Sequence, residues 1–290
     1  MICAATLWSI AGVFTRHLEV ARGFEITFLR SLFSAVFVLG TLLWQQGAGR
    51  TVLTVRGVGW LGLLCGMMWC VMFVCFMLAL TKTTVANTLV VMSVSPLLTA
   101  FLAWLILKQV IPVRTWCAIL VAFVGILWMF AQSMSALGGQ DLFGMMIALA
   151  VPFAAAINII AMKKAGHGVD LIPAILLGSL FSAGLMLPFA WPLQASLHDV
   201  VIMAILGFFQ LGFPCMLMIK ASRSLTAAEM SLLALLEVLL GPLWAWLGAG
   251  EIPAQQTLMG GGVVLIALIF NGFLAMRSES KTNIMLSSVI

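Results

Sequence analysis

Charged residues are scarce in this chain. Lys and Arg number 14 and Asp and Glu number 9, which is 8% of the 290 residues, whereas a soluble domain carries roughly 25%. The sequence also lacks a polar stretch long enough to form a water-facing domain. These shortages exclude a soluble globular protein, and the hydrophobic fraction of 63% excludes a disordered one. The whole chain is predicted to lie in lipid.

Residues for catalysis and metal binding are few and poorly placed. The 3 histidines, His17, His167 and His198, fall in connections between apolar stretches, so no buried Ser/His or His/metal pair is available. The 6 cysteines lie inside apolar runs without a zinc-ligand spacing, and there is no nucleotide-binding loop. We therefore expect no catalytic site, no cofactor and no metal. The net charge of +5 does not indicate nucleic-acid binding, because the basic residues are dispersed singly and in pairs.

Charged residues, glycine and proline divide the apolar sequence into stretches of about 20 residues, the length that a membrane-spanning helix needs. The sequence predicts ten such helices, which makes an all-α integral membrane protein. The predicted spans are 1–16, 24–46, 57–80, 85–107, 112–132, 142–162, 171–192, 199–219, 226–248 and 256–275.

Lys and Arg are distributed unequally between the two ends of the predicted helices. Cytoplasmic loops of membrane proteins are enriched in these residues. Of the 14, only Arg16, Arg22, Arg30 and Lys82 belong to one side. The distribution therefore predicts that the other side, which holds both termini, is cytoplasmic. Its basic residues are Arg50, Arg56, Lys108, Arg114, Lys163, Lys164, Lys220, Arg223, Arg277 and Lys281.

Two short sequences recur at about half the chain length. SLFSA at 31–35 in the second predicted helix recurs at 179–183 in the seventh, an offset of 148. AWL at 103–105 in the fourth helix recurs at 245–247 in the ninth, an offset of 142. Both matches pair a helix with the one five places later. Because five is odd, the two copies must cross the membrane in opposite senses, which predicts two inverted five-helix repeats.

Longer segments carry a resemblance to a known family. LLALLEVLLGPLWAWLGAGEIP at 232–253 and VMSVSPLLTAFLAWLILKQVIP at 91–112 resemble the repeat signature of EamA-type proteins of the drug/metabolite transporter superfamily. ATLWSIAGVF and FLRSLFSA resemble that family's first two helices. The resemblance implies ten helices around a central cavity lined mainly by helices 1, 3, 4, 6, 8 and 9. It divides the chain into a first five-helix repeat at 1–135, a second at 140–275 and a cytoplasmic tail at 276–290.

The resemblance also implies a function. It indicates a secondary transporter that exports small organic metabolites, such as amino acids or related neutral or zwitterionic compounds, across the inner (plasma) membrane by alternating access. The expected partners are a small-molecule substrate and the lipid bilayer, with protons as a candidate coupling ion, no nucleic acid, and a monomer or weak homodimer. The alternatives are a channel-like facilitator, although no charged ring or carbonyl-filter motif is present, and an intramembrane enzyme, which the histidine positions disfavour.

Glu237 and Asn158 are polar residues deep inside predicted helices. Glu237 lies 11 positions into the ninth span, which at ~1.5 Å per residue is ~16 Å deep. An ionised carboxylate at that depth must face protein or water. It is either a proton-responsive or cation-attracting group beside the cavity or a partner in a helix–helix hydrogen bond. Asn158 has no capping role and is a candidate for lining the cavity. Both belong to the expected substrate site.

Aromatic residues complete the expected site. Trp69, Phe73 and Phe76 share one face of the third helix by their spacing, and Trp8 lies on the first helix. The stripe is either helix packing or a wall of the cavity. In the second case the cavity is apolar and aromatic, which suits neutral or zwitterionic molecules. A phosphate ester would need paired Lys or Arg, and no such pair occurs at mid-depth.

Two further groups of polar residues have structural interpretations. Thr226 and Glu229 match the T-x-x-E capping box, and Thr84 and Asn87 are their equivalents in the first repeat. Arg30 lies about six residues inside the second helix. We expect it to tie that helix to Glu25, to Glu19 or to a backbone carbonyl, with binding of an anionic substrate group as the alternative.

Overall fold

The chain is all-helical in the computed structural model, which describes residues 1–15, 17–21, 23–129, 139–166, 168–249 and 255–287. We number the helices α1 to α10 in chain order and count two pieces separated by a short break as one helix. The continuous helices are α2 (Gly23–Arg56), α3 (Gly59–Lys82), α5 (Val113–Met129), α6 (Gly139–Ala165), α7 (Ile172–Ala190) and α10 (Gln255–Ser287). The interrupted helices are α1 (Ile2–Trp8 and Ala11–Thr15), α4 (Val85–Met92 and Ser95–Leu107), α8 (Leu197–Ile205 and Phe213–Ala221, joined by a π-helix at Leu206–Gly212) and α9 (Ala227–Ala234 and Leu236–Ala249).

Seven of these helices are long and apolar enough to cross a membrane, namely α2, α3, α4, α6, α7, α8 and α9. Their most apolar windows have mean hydropathies between 1.8 and 2.5. The remaining three, α1, α5 and α10, contain shorter apolar helices at Ile2–Thr15, Val113–Trp128 and Leu258–Asn271. Each predicted span overlaps one of these helices, and the composition is that of a multi-pass membrane protein.

Some helix ends differ from the sequence prediction. α2 continues to Arg56, beyond the predicted end at residue 46, as two helices joined at Gly47, whose φ of 76° is readily adopted by glycine. α10 continues to Ser287, so residues 276–287 of the predicted tail are helical. Hydropathy did not reveal these extensions because polar residues form helices as readily as apolar ones.

The repeated SLFSA sequences of α2 and α7 pack against each other. Ser31 and Ser182 share a hydrogen bond of 2.8 Å, and Ser179 donates one of 3.0 Å to Ser34. All four side chains are fully buried. The first serine of each copy thus pairs with the second serine of the other copy, which is the arrangement that a twofold axis between two helices produces.

Glycines allow close helix contacts on both sides of this pair. A Cβ on Gly66 of α3 would lie 3.1 Å from backbone of α7, and one on Gly178 of α7 would lie 2.6 Å from the Cβ of Trp69. α8 approaches α2 in a similar way, because a Cβ on Gly207 would lie 2.7 Å from the carbonyl oxygen of Arg30. These contacts fix the helix faces that carry Trp69 and Arg30.

Two carboxylates bind the connections at one end of the bundle. Asp199, in the first turn of α8, accepts hydrogen bonds of 2.8–3.1 Å from the backbone N–H groups of residues 19–21. Glu25, in the first turn of α2, accepts hydrogen bonds of 2.7 and 2.8 Å from the N–H groups of residues 194–195. Each carboxylate satisfies amides that no helix pairs, and together they link the α1–α2 and α7–α8 connections.

Candidate functional site

A cavity of about 110 Å³ lies among helices from both halves of the chain. Its lining residues belong to α1, α2, α3, α4, α6, α8 and α9. These include all six helices that the family resemblance implies, and α2 is added through Arg30. A cavity of this volume holds several water molecules. It is therefore a place in the described structure where a polar ligand could lie at depth among the helices.

Five of the six expected site residues line this cavity. They are Trp8, Trp69, Phe73, Phe76 and Glu237. The structure thus brings one residue of α1, three of α3 and one of α9 to a common surface, although they are far apart in sequence. Their role in binding stays a prediction.

The aromatic residues of α3 form an apolar wall. The ring centroids of Trp69 and Phe73 are 5.6 Å apart, with their planes tilted by 33°. The two side chains are only 1% and 4% exposed. Both also belong to the main hydrophobic cluster of the bundle. The stripe is therefore helix packing on one side and cavity wall on the other, so the two interpretations of the sequence apply together.

Arg30 and Gln210 form the polar side of the cavity. The Nη1 group of Arg30 donates a hydrogen bond of 3.2 Å to Oε1 of Gln210, and Nε2 of Gln210 donates one of 3.4 Å to the carbonyl oxygen of Trp8. Gln210 belongs to the π-helix of α8, a type of irregularity that is frequent at functional sites. Sequence reasoning missed Gln210. The sequence did contain a signal for it. Gln210 is an amide in the middle of a predicted span, and it needs hydrogen-bond partners there for the same reason as Asn158.

The expectation that Arg30 binds Glu25, Glu19 or a backbone carbonyl is wrong. Glu25 binds backbone amides of the α7–α8 connection, and Glu19 accepts a hydrogen bond from the hydroxyl of Ser196. Both carboxylates are occupied at the end of the bundle, whereas Arg30 lies deeper and turns toward α8. The cause is the glycine contact between α2 and α8, which brings Gln210 within reach of the guanidinium.

Glu237 lies at an interrupted helix. It is in the first turn of the second piece of α9, just after the break at Leu235. The repeat offset of 142 relates it to Ser95, the first residue of the second piece of α4, which also lines the cavity. The Glu237 carboxylate has no hydrogen bond within the described part of the chain, and it lines the same cavity as Arg30. The cavity therefore contains one cationic and one acidic side chain.

Asn158 is placed differently from the other expected site residues. Its side chain is fully buried in α6, and it is not among the residues that line the cavity. Neither its Nδ2 nor its Oδ1 has a hydrogen-bond partner among the described residues. The residues that α6 does contribute include Pro152 and Ala155. Depth in a span thus predicted burial correctly, but helix rotation, which the sequence leaves open, decides which residues reach the cavity.

The predicted capping box of Thr226 and Glu229 is confirmed, whereas its equivalent in the first repeat forms only the N-cap hydrogen bond of Thr84. Glu229 accepts a hydrogen bond from the backbone N–H of Thr226, and the Thr226 hydroxyl accepts one from the N–H of Glu229. The Thr84 hydroxyl likewise accepts a hydrogen bond of 3.2 Å from the N–H of Asn87, while the Asn87 amide donates to the hydroxyl of Thr83. Glu229 and Asn87 therefore lie at helix starts and are not among the residues that line the cavity.

Comparisons with known proteins agree with this architecture. The model of the EamA-like transporter family matches the chain twice, at residues 1–131 and at residues 142–273. A solved structure described as "Crystal structure of protein" is similar over 96% of this chain and 96% of its own, with a TM-score of 0.79 and 14% sequence identity. At that identity the likeness shows the fold alone. No curated protein matches the chain.

Proposed function

Because the chain belongs to the EamA-like transporter family, we propose that it is a secondary transporter that exports small organic metabolites. The proposed substrates are amino acids or related neutral or zwitterionic compounds, moved across the inner membrane by alternating access. The observation that carries the proposal is the cavity, which is lined by helices from both halves and combines an aromatic wall with one cationic and one acidic side chain. Such a lining, apolar with a few placed polar groups, suits small organic molecules.

The proposed architecture is ten spans in two inverted five-helix repeats, with both termini in the cytoplasm. The reciprocal serine pairs between α2 and α7 support it, because a twofold relation between the repeats produces that pairing. The breaks in α4 and α9 support it as well, since they fall at positions related by the same offset of 142. The distribution of Lys and Arg supports the orientation.

The interrupted helices suggest how the cavity could open to either side. The second piece of α4 begins at Ser95, which lines the cavity, and that of α9 begins one residue before the lining residue Glu237. The π-helix of α8 contributes Gln210 to the lining. Inverted-repeat transporters commonly have discontinuous helices at the central site, and one bundle rocks against the other around them. We propose that these breaks are the points at which the two halves move during transport.

The test is an export assay with a matched pair of cavity variants. Ala155 of α6 lines the cavity, so Ala155→Trp places an indole in the proposed substrate path. Leu149, on the same helix, is 41% exposed on the outer surface of the bundle, and Leu149→Trp is the control. Cells that overexpress the chain are screened for metabolites that accumulate in the medium.

We expect accumulation of at least one small organic metabolite with the unmodified chain and with Leu149→Trp, and its loss with Ala155→Trp at equal membrane abundance. Equal export by the two tryptophan variants would contradict a substrate path through this cavity. If no metabolite accumulates relative to cells without the chain, the proposed export activity itself is wrong.

A further inference from the structure

Arg30 is a buried cation whose hydrogen-bonding capacity is mostly unused. Its side chain is 1% exposed, one Nη donates to Gln210, and Nε has no partner in the described part of the chain. A buried charge is costly unless it is paired. Glu237 lines the same cavity, and no ion pair joins its carboxylate to Arg30 in the described part of the chain. Arg30 therefore lies at the cavity with hydrogen-bonding capacity that the described residues do not use.

The equivalent position in the other half of the chain carries no arginine. The SLFSA offset of 148 makes Gly178 of α7 the equivalent of Arg30 of α2. Gly178 packs closely against α3, as the neighbourhood of Arg30 packs against Gly207 of α8. A glycine thus serves the same helix contact in the other half. The arginine is a departure from the symmetry of the repeats, located where α2 reaches the cavity.

Gln210 is held in the orientation that leaves the guanidinium available. Its Nε2 donates to the carbonyl oxygen of Trp8, which directs its Oε1 toward Arg30. A guanidinium has five N–H donors in a planar fork that matches a carboxylate. Gln210 engages one of these donors and Nε is unpaired, so hydrogen-bonding capacity remains for a ligand that carries a planar, negatively charged group.

We propose that Arg30, positioned by Gln210, is the binding subsite for the carboxylate of the transported substrate. The inference rests on the proposed transport function. It also assigns an orientation to the bound substrate. The carboxylate lies at the α2–α8 side of the cavity, and the apolar part of the substrate lies against the aromatic wall of α3. Among the lining residues Arg30 is the single basic side chain and Glu237 the single acidic one. That balance matches a zwitterion, while a phosphate dianion would lack a second cation and would be repelled by Glu237.

Ligand binding to the purified full chain tests the assignment. The probes are L-leucine, L-methionine, L-phenylalanine and L-tryptophan, each compared with its own α-amide, which keeps the amine and side chain but loses the negative charge. Binding is measured as ligand-induced thermal stabilisation over a concentration series. We expect at least one amino acid to bind and its amide to bind at least about tenfold more weakly, because hydrogen bonds to charged groups are among the strongest polar contacts.

The variants separate binding from folding. Arg30→Gln should abolish the preference for the amino acid over its amide, because only the carboxylate needs the guanidinium. Arg30→Lys keeps the positive charge but lacks the planar fork of donors. Its affinity for the amino acid should therefore lie between that of the unmodified chain and that of Arg30→Gln. If Arg30→Gln does not fold, the double variant Arg30→Gln with Glu237→Gln, which removes both buried charges, is measured instead. It should likewise show no preference for the amino acid over its amide. Gln210→Leu should reduce the preference for the amino acid over its amide, because Gln210 positions Arg30.

Two results would overturn the assignment. One is that no amino acid in the series binds, or that each binds no better than its amide. The other is that folded Arg30→Gln keeps the preference of the unmodified chain for the amino acid. Either result leaves the transport proposal standing if the export screen still distinguishes Ala155→Trp from Leu149→Trp. Failure of that screen would refute transport independently of Arg30.

Discussion

Replacing Phe73 with alanine tests whether the aromatic wall of α3 contributes to substrate binding. Phe73 lines the cavity, is 4% exposed, and has its ring centroid 5.6 Å from that of Trp69. Burying an aromatic side chain against an apolar group contributes about 2–3 kcal/mol, and each 1.4 kcal/mol corresponds to about tenfold in affinity. We therefore expect the apparent affinity for an apolar substrate to fall about tenfold or more.

The same substitution also affects stability, because Phe73 belongs to the main hydrophobic cluster. Truncation of a core phenylalanine to alanine costs about 3–5 kcal/mol of the free energy of unfolding. Phe73→Leu, which keeps most of the buried volume, is the companion variant and should bind more weakly with little loss of stability. Phe270→Ala on α10 is the control, because Phe270 is 62% exposed on the surface of the bundle and does not line the cavity.

The assay is the initial rate of export as a function of internal substrate concentration, with the amount of folded protein in the membrane measured in parallel. Single cysteines at positions 69, 73 and 76, in a chain without its native cysteines, are then labelled with and without substrate. An unchanged half-saturating concentration for folded Phe73→Ala, together with labelling that substrate does not protect, would mean that the wall is packing only. The site assignment would then fail, while the transporter proposal would stand.

Three further predictions concern orientation, Glu237 and the repeat interface. Reporter fusions should place Arg56, Arg114, Lys164 and Arg223 in the cytoplasm and Lys82, Gly139 and Glu251 outside, and a single robust inversion contradicts two inverted repeats. Transport should survive Glu237→Gln better than Glu237→Ala, because glutamine keeps the shape and hydrogen-bonding groups of glutamate. Complete loss in both folded variants would instead indicate that protonation of Glu237 is essential. A double-mutant cycle of Ser31→Ala and Ser182→Ala, measured by unfolding, should give a coupling free energy of about 0.6 kcal/mol and at most about 1.7 kcal/mol. If the two single losses of stability simply add in the double variant, the hydrogen bond between these serines contributes nothing to stability.

The features that the sequence predicted correctly depend on composition or on residues close together in the chain. The apolar stretches are long enough to be recognised by hydropathy, and each overlaps a helix. The capping pair of Thr226 and Glu229 is separated by three residues, so its geometry follows from the first turn of a helix alone. The spacing of Trp69, Phe73 and Phe76 placed them on one face of α3, which does line the cavity.

The features that the sequence did not predict depend on which helices meet and at which rotation. Arg30 was expected to bind Glu25, Glu19 or a backbone carbonyl, all close to it in the chain, but it binds Gln210, 180 residues away. No local pattern relates those two positions. The π-helix of α8 adds to the difficulty, because it changes the register of the helix faces that a regular 3.6-residue period would give. Asn158 was expected at the cavity on the basis of its depth. It is buried, but it is not among the α6 residues that line the cavity.

By itself, therefore, the sequence determined that the chain is a helical membrane protein, where its apolar helices lie, and that two halves repeat. These properties follow from transfer free energies and from local hydrogen bonding, both of which are set by neighbouring residues. The tertiary structure alone decided that Arg30, Gln210 and Glu237 share a cavity with the aromatic wall of α3. Close contacts at Gly66, Gly178 and Gly207 set the distances and rotations of the helices, and those contacts exist only once distant parts of the chain have packed together.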